Sequence, residues 1–190
     1  MGTSKQLLPL GYRPVIRHCY DTIAAAGIQQ VIVVIGAHGN GIPEALQGTP
    51  ATIVRNTVPD SQMADSVRIG LGAVDARYSG VLVCLSDHPL ISAGTYRAII
   101  NAHKEAPDRL VIPVYIGRRG HPTLFPPVSV KEIASGATLR DVIRKNGSLL
   151  TLLDVDDEGV VLDMDTDDDY RRILAIFKAQ QSRRGAGVKG

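Results

Sequence analysis

Apolar residues along this chain fall into two alternating kinds of run. Residues 13–26 set Val15, Ile16, Cys19 and Ile23 on one helical face, and Gly27 supplies a stop. "QQVIVVIG" follows as a continuous apolar run of strand length, ending in glycines at 36, 39 and 41. A short helix near 42–47 leads to a small strand, "ATIVR", and residues 62–75 return to helical spacing through Met63, Val67, Leu71 and Val74. "GVLVCLSDHP" predicts a second fully buried strand that stops at Asp-His-Pro. A helix over 92–104, a strand "RLVIPVYIG", a helix over 138–146 and extended pieces "SLLTLLDV" and "GVVLDMD" complete the order. Thr166 with Asp169 forms a capping arrangement for a last helix carrying Tyr170, Ile173, Leu174 and Phe177.

Strands that are apolar throughout, with helices between them, predict an α/β fold: a single-domain, mostly parallel Rossmann-like sheet covered on both faces. Ligands of such sheets bind beyond the carboxyl ends of the strands. The glycines of 36–41, Asp87 and the loop after 116 are therefore expected on one edge. Residues 1–177 form the predicted domain. Residues 178–190 carry Lys178, Arg183, Arg184 and Lys189 with no acid, and read as a basic disordered tail.

Composition narrows the class further. The net charge of +2 is owed to the tail, which leaves the body slightly acidic and without a basic face for nucleic acid. Cys19 and Cys84 lie in apolar runs outside any metal-type spacing, which predicts buried free thiols in a reducing cytoplasm. No run reaches transmembrane length and no signal-peptide core is present at the amino terminus.

Four groups of residues carry candidate chemistry. Asp87 directly follows an apolar strand, and Pro89 stops that strand from continuing. It reads either as a turn carboxylate accepting backbone N–H bonds or as a ligand for a divalent cation. Asp163 and Asp165 alternate with Met164, so in an extended segment both point the same way, while Asp167 to Asp169 read as helix-capping acids. Carboxylates from two segments suit Mg²⁺, whose other ligands are water and phosphate. Lys5, in the small-residue opening "MGTSK", is either solvated or a phosphate partner. "GRRGHP" sets Arg118, Arg119, Gly120, His121 and Pro122 in one loop suited to an anion, with His121 an acid/base group or a hydrogen-bond donor. There is no Ser-His-Asp order, CxxC or HExxH.

"MGTSKQLLPLGYRPVIRH" resembles the end of the nucleotide-binding signature of the MobA-like NTP transferases. "NTVPDSQMADSVRIGL", "VLVCLSDHPLI", "VIPVYIGRRGHPTLF" and "LDMDTDDDY" follow in that family's order. The Asp-His-Pro and Arg-Gly-His-Pro segments are similar to those of the molybdenum-cofactor cytidylyltransferases. The resemblance implies a nucleotide-diphospho-sugar transferase type of fold and transfer of CMP from CTP to molybdopterin, with pyrophosphate leaving. It implies Asp87 and Asp165 on Mg²⁺, Lys5 against the phosphates, and Asn56 and Ser66 around base and ribose. Gly120, His121 and Pro122 then line the pterin side. A molybdoenzyme or its chaperone is the implied protein partner. Another phosphorylated acceptor, or a catalytically impaired cofactor-binding module, is the alternative. The family's first strand and the first half of its NTP loop are absent from residues 1–190, so the natural protein is expected to begin upstream of Met1.

Overall fold

The computed structural model describes residues 4–37, 39–75 and 77–186. A 3-10 turn (Lys5–Leu7) opens them, followed by a small antiparallel hairpin of β1 (Pro9–Leu10) and β2 (Arg13–Pro14). Helix α1 (Val15–Ala25) buries Val15, Ile16, Tyr20 and Ile23, three of them read from the spacing, and ends at Gly27 with φ 90°. Strand β3 (Ile32–Ile35), helix α2 (Ile42–Ala45) and strand β4 (Thr52–Arg55) come next, with β3 and β4 paired in parallel. Helix α3 (Met63–Leu71) starts at a capping box between Gln62 and Asp65 and stops at Gly72, short of the expected 75.

Strand β5 (Val81–Val83) leads to helix α4 (Ala93–Glu105), where the Ser92 side chain accepts from the Thr95 N–H as the cap. Strand β6 (Leu110–Tyr115) turns at Ile116–Gly117, both at positive φ, into β7 (Arg118–Arg119). Strand β8 (Thr123–Phe125), helices α5 (Pro127–Ala134) and α6 (Leu139–Lys145), and strand β9 (Leu150–Asp154) follow. The last helix, α7 (Asp167–Ala186), begins at the anticipated Thr166–Asp169 cap, in which Asp169 N–H donates to Thr166 Oγ1 at 3.2 Å.

The α/β architecture matches the expectation, but the sheet is mixed. β5 and β6 both pair antiparallel with β8, β7 pairs antiparallel with β6, and β9 joins β6 in parallel. The short β8, enclosed by "HPTLFPP", is what reverses the pairing. "GVVLDMD" is not a strand: it forms a 3-10 turn (Glu158–Val161) and an irregular stretch. The helix through residue 177 continues to Ala186, so the basic segment 178–186 is helical, while 187–190 lie outside the described residues. Among the described residues no helix is long and apolar enough to cross a membrane.

Candidate active site

Chain direction brings the amino-terminal turn and the segment before α7 together. Lys5 Nζ donates to the Asp165 backbone carbonyl and lies 3.5 Å from Asp165 Oδ1. Met164 is 1 % exposed, whereas Asp163 and Asp165 on either side are exposed. The predicted alternation therefore holds in an irregular segment, because the buried methionine anchors it against Leu10, Val15 and Ile173.

Asp87 sits in the turn beyond β5, with Oδ1 buried and without a hydrogen-bond partner among the described residues. A lone carboxylate oxygen in that state lacks about 1–3 kcal/mol of compensation and calls for a cation or a donor. His88 Nε2 stands 3.9 Å from it. The His88 ring is buried and lies 5.2 Å from the His121 ring, tilted by 57°. Burial first, and His88 second, hold His121 below the usual imidazole value, while Asp87 and Asp163 pull the other way. His121 Nδ1 is likewise buried without a partner.

The Gly120–Pro122 segment is fixed by close approach. Gly120 N–H donates to Pro113 O at 2.8 Å and His121 N–H to Val160 O at 2.8 Å. A Cβ on Gly120 would stand 2.3 Å from Val160 O, so no side chain fits. Asp157 secures the facing wall: its carboxylate accepts from Ser92 N–H at 2.8 Å, from Thr95 Oγ1, and from Gly159 N–H at 3.0 Å. His88 Nδ1 then meets Gly159 O at 3.4 Å.

Asn56 and Ser66 are joined directly, Asn56 Nδ2 donating to Ser66 Oγ at 2.9 Å. Asn56 is 3 % exposed; its N–H donates to Ile35 O and its Oδ1 accepts from Val58 N–H. Both line one cleft with Gly36, Gln6 and Ser86 at the carboxyl ends of β3 and β5. Arg118 and Arg119 lie instead on β7, exposed, with neither guanidinium bonded among the described residues. The loop expected for all six residues of "GRRGHP" is thus split between a hairpin edge and the Gly-His-Pro wall.

The geometry gathers Asn56 with Ser66, Lys5 with Asp165, and Asp87 with His121. Cys19 and Cys84 are free but only partly buried along the cleft, and burial pushes both thiols up to about 12. Sequence reasoning passed over His88 and Asp157. His88 adjoins Asp87 in the same strand-ending turn, a signal that was available. Asp157 offered only a local turn contact to Gly159, because its other two partners, Thr95 and Ser92, lie 62 and 65 residues away.

Hard oxygen donors at Asp87 and Asp165 fit a divalent cation in type. Among the described residues, however, no three His, Cys, Asp or Glu side chains form a metal-holding group. A cation there would need oxygens from elsewhere, as magnesium sites commonly do.

Comparison with known proteins identifies the scaffold. The chain is 28% identical over 181 residues to nicotine blue oxidoreductase of Paenarthrobacter nicotinovorans, covering 90% of this chain and 87% of that one. Bifunctional protein GlmU of Sinorhizobium fredii is 32% identical over 111 residues, which span 57% of this chain and 24% of that protein. The crystal structure of Rv0371c from Mycobacterium tuberculosis superposes with a TM-score of 0.74 at 30% identity, covering 92% of this chain and 90% of that one. Its manganese complex gives 0.70 at 28% identity, covering 90% and 91%. The MobA-like NTP transferase domain matches residues 1–151, and the chain belongs to that family of nucleotidyltransferases.

Proposed function

We propose that the chain transfers CMP from CTP to the terminal phosphate of molybdopterin and releases pyrophosphate. The observation that carries this reading is the buried, unpartnered Asp87 oxygen at the strand ends, flanked by the Gly120–His121–Pro122 wall. An acceptor phosphate oxygen forms a bond to the α-phosphorus of CTP. The bond from that phosphorus to the oxygen bridging to the β-phosphate breaks, and its electron pair leaves with pyrophosphate. Such in-line transfer asks for positioning and charge neutralisation, not for a side-chain nucleophile.

Asn56 and Ser66, locked together, seat base and ribose. Lys5, held at Asp165, offers a cation to the phosphates. His121 and Pro122 line the acceptor side, and Arg118 and Arg119 on the hairpin supply positive charge for an anionic acceptor. Asp87 and Asp165 would hold a divalent cation, Mg²⁺, which when bound offsets charge on the α-phosphate and pyrophosphate. The manganese complex of the Mycobacterium tuberculosis relative supports a divalent ion. The protein works in the cytoplasm, where molybdopterin passes on to a molybdoenzyme or its chaperone.

Two observations favour other readings. Similarity to part of GlmU points to a shared nucleotide half with another phosphorylated acceptor. Similarity to nicotine blue oxidoreductase over nearly the whole chain points to a use of the scaffold other than nucleotidyl transfer. Incubation with CTP, Mg²⁺ and molybdopterin decides: molybdopterin-dependent pyrophosphate release is expected. Release only with sugar or alditol phosphates selects the first alternative, and none with any acceptor selects the second.

A further inference from the structure

The transfer chemistry gives His88 no task, yet the fold constrains this side chain on three sides. Its ring is 7 % exposed. Nδ1 donates to Gly159 O at 3.4 Å, the His121 ring stands 5.2 Å away, and Nε2 lies 3.9 Å from Asp87 Oδ1. Gly159 is itself fixed. A Cβ there would stand 2.5 Å from Leu90 C, and its N–H donates to Asp157 Oδ1 at 3.0 Å. The ring is therefore held by its own turn, by the Gly-His-Pro wall and by the 3-10 turn at Glu158–Val161.

These contacts decide where the ring proton sits. A backbone carbonyl only accepts, so the Gly159 contact assigns the proton to Nδ1. Nε2 then carries a lone pair. It faces a carboxylate oxygen that is buried and has no hydrogen-bond partner among the described residues. Two buried acceptors that face each other call for a cation or a shared donor between them. Metal–nitrogen and metal–oxygen bonds of about 2.0–2.2 Å let two ligands of one ion stand up to about 4.3 Å apart. The pair at 3.9 Å is within that reach. An imidazole that gives its other N–H to a backbone carbonyl is also the usual arrangement of a metal-ligating histidine. The Asp165 carboxylate, by contrast, already faces Lys5.

We propose that His88 Nε2 is a ligand of the divalent cation at Asp87, and that the site therefore binds a transition ion such as Mn²⁺ more tightly than Mg²⁺. The proposal rests on the reading of Asp87 as a cation ligand and adds the second donor and the class of ion it selects. Magnesium keeps to oxygen ligands and gives up water reluctantly, whereas imidazole nitrogen suits first-row transition ions. Among the described residues no third His, Cys, Asp or Glu joins the pair. Water and phosphate oxygens complete the shell, which keeps the ion open to a nucleotide.

Calorimetry with manganese chloride and magnesium chloride on residues 1–190, and pulsed electron paramagnetic resonance of the bound Mn²⁺, test this. The chain should bind Mn²⁺ about tenfold or more tighter than Mg²⁺ and show the modulation of a directly bonded nitrogen. His88→Asn keeps an N–H for Gly159 O and removes the far nitrogen. It should weaken Mn²⁺ by about tenfold or more, leave Mg²⁺ within about twofold, and abolish the modulation. If His88→Asn fails to fold, His121→Gln and Asp87→Asn decide. Modulation retained in His121→Gln, with Mn²⁺ binding abolished in Asp87→Asn, places the nitrogen on His88; modulation lost in His121→Gln assigns it to the other ring and overturns the proposal. Mn²⁺ bound without nitrogen modulation, modulation that persists in His88→Asn, or equal weakening of both ions there also overturns it, while leaving Asp87 a cation ligand. Mn²⁺ binding unchanged in Asp87→Asn, or no Mn²⁺ binding at all, overturns the Asp87 reading together with it.

Discussion

Asp87 bears a heavy demand for a single residue, because its buried oxygen has no hydrogen-bond partner among the described residues. Asp87→Asn should lower molybdopterin-dependent pyrophosphate release by about 100-fold or more while leaving circular dichroism unchanged, in line with the loss of one preorganised electrostatic group. Full activity in that variant would remove Asp87 from the chemistry. His121 makes a separate prediction about pH. Its folded value lies below the unfolded one of about 6.5, so the unfolded chain takes up the proton more readily. The stability His121 allows is complete above the unfolded value and is lost as pH falls toward the folded one. His121→Gln should therefore flatten the loss of urea stability between about pH 7.5 and 5.5.

Asp87, Asp165 and Lys5 stood out in sequence because each sits at a strand end, a turn or just before a cap, where local chemistry is distinctive, whereas Asn56 and Ser66, the latter inside α3, were named only through the family resemblance. The arginines did not stand apart from their loop, because "GRRGHP" contains a hairpin edge and a tight wall that one-dimensional spacing cannot divide. Gly120 shows why: the contact that requires glycine is to Val160, 40 residues onward. The roles assigned to these residues still await the substitutions that test them.

At the scale of elements, the Gly-His-Pro wall and the 3-10 turn at Glu158–Val161 form one unit. Gly120→Ala forces a Cβ against backbone and should lower unfolding free energy by about 1–3 kcal/mol, seen as a reduced urea midpoint. Asp157→Ala removes the acceptor for Ser92, Thr95 and Gly159 together, and should cost about 1–3 kcal/mol with faster hydrogen exchange at the start of α4. Helices α1, α3, α4 and α6 were legible from spacing and caps. β7, β8 and α5 were not: two or three residues of strand carry too little periodicity, and α5 begins between prolines. The apolar runs of β3 and β5 could reveal that they belong inside a sheet, but not which neighbours they would meet.

For the whole molecule, α7 is what joins the two ends of the sequence. Its Ile173 is buried with Leu10, Val15 and Met164, and Tyr170 Oη donates to Pro9 O at 2.6 Å. Deleting residues 167–190 should uncover that cluster, bind the dye ANS and broaden the urea transition, whereas deleting only 187–190 should do neither. The Lys5–Asp165 contact spans 160 residues and has a consequence for biosynthesis. While a ribosome is still extending β9, Lys5 is already outside the exit tunnel and Asp165 has not been made. The Lys5–Asp165 contact therefore forms only once the segment before α7 has been made, so a chain cut short at β9 leaves the amino-terminal turn without that anchor.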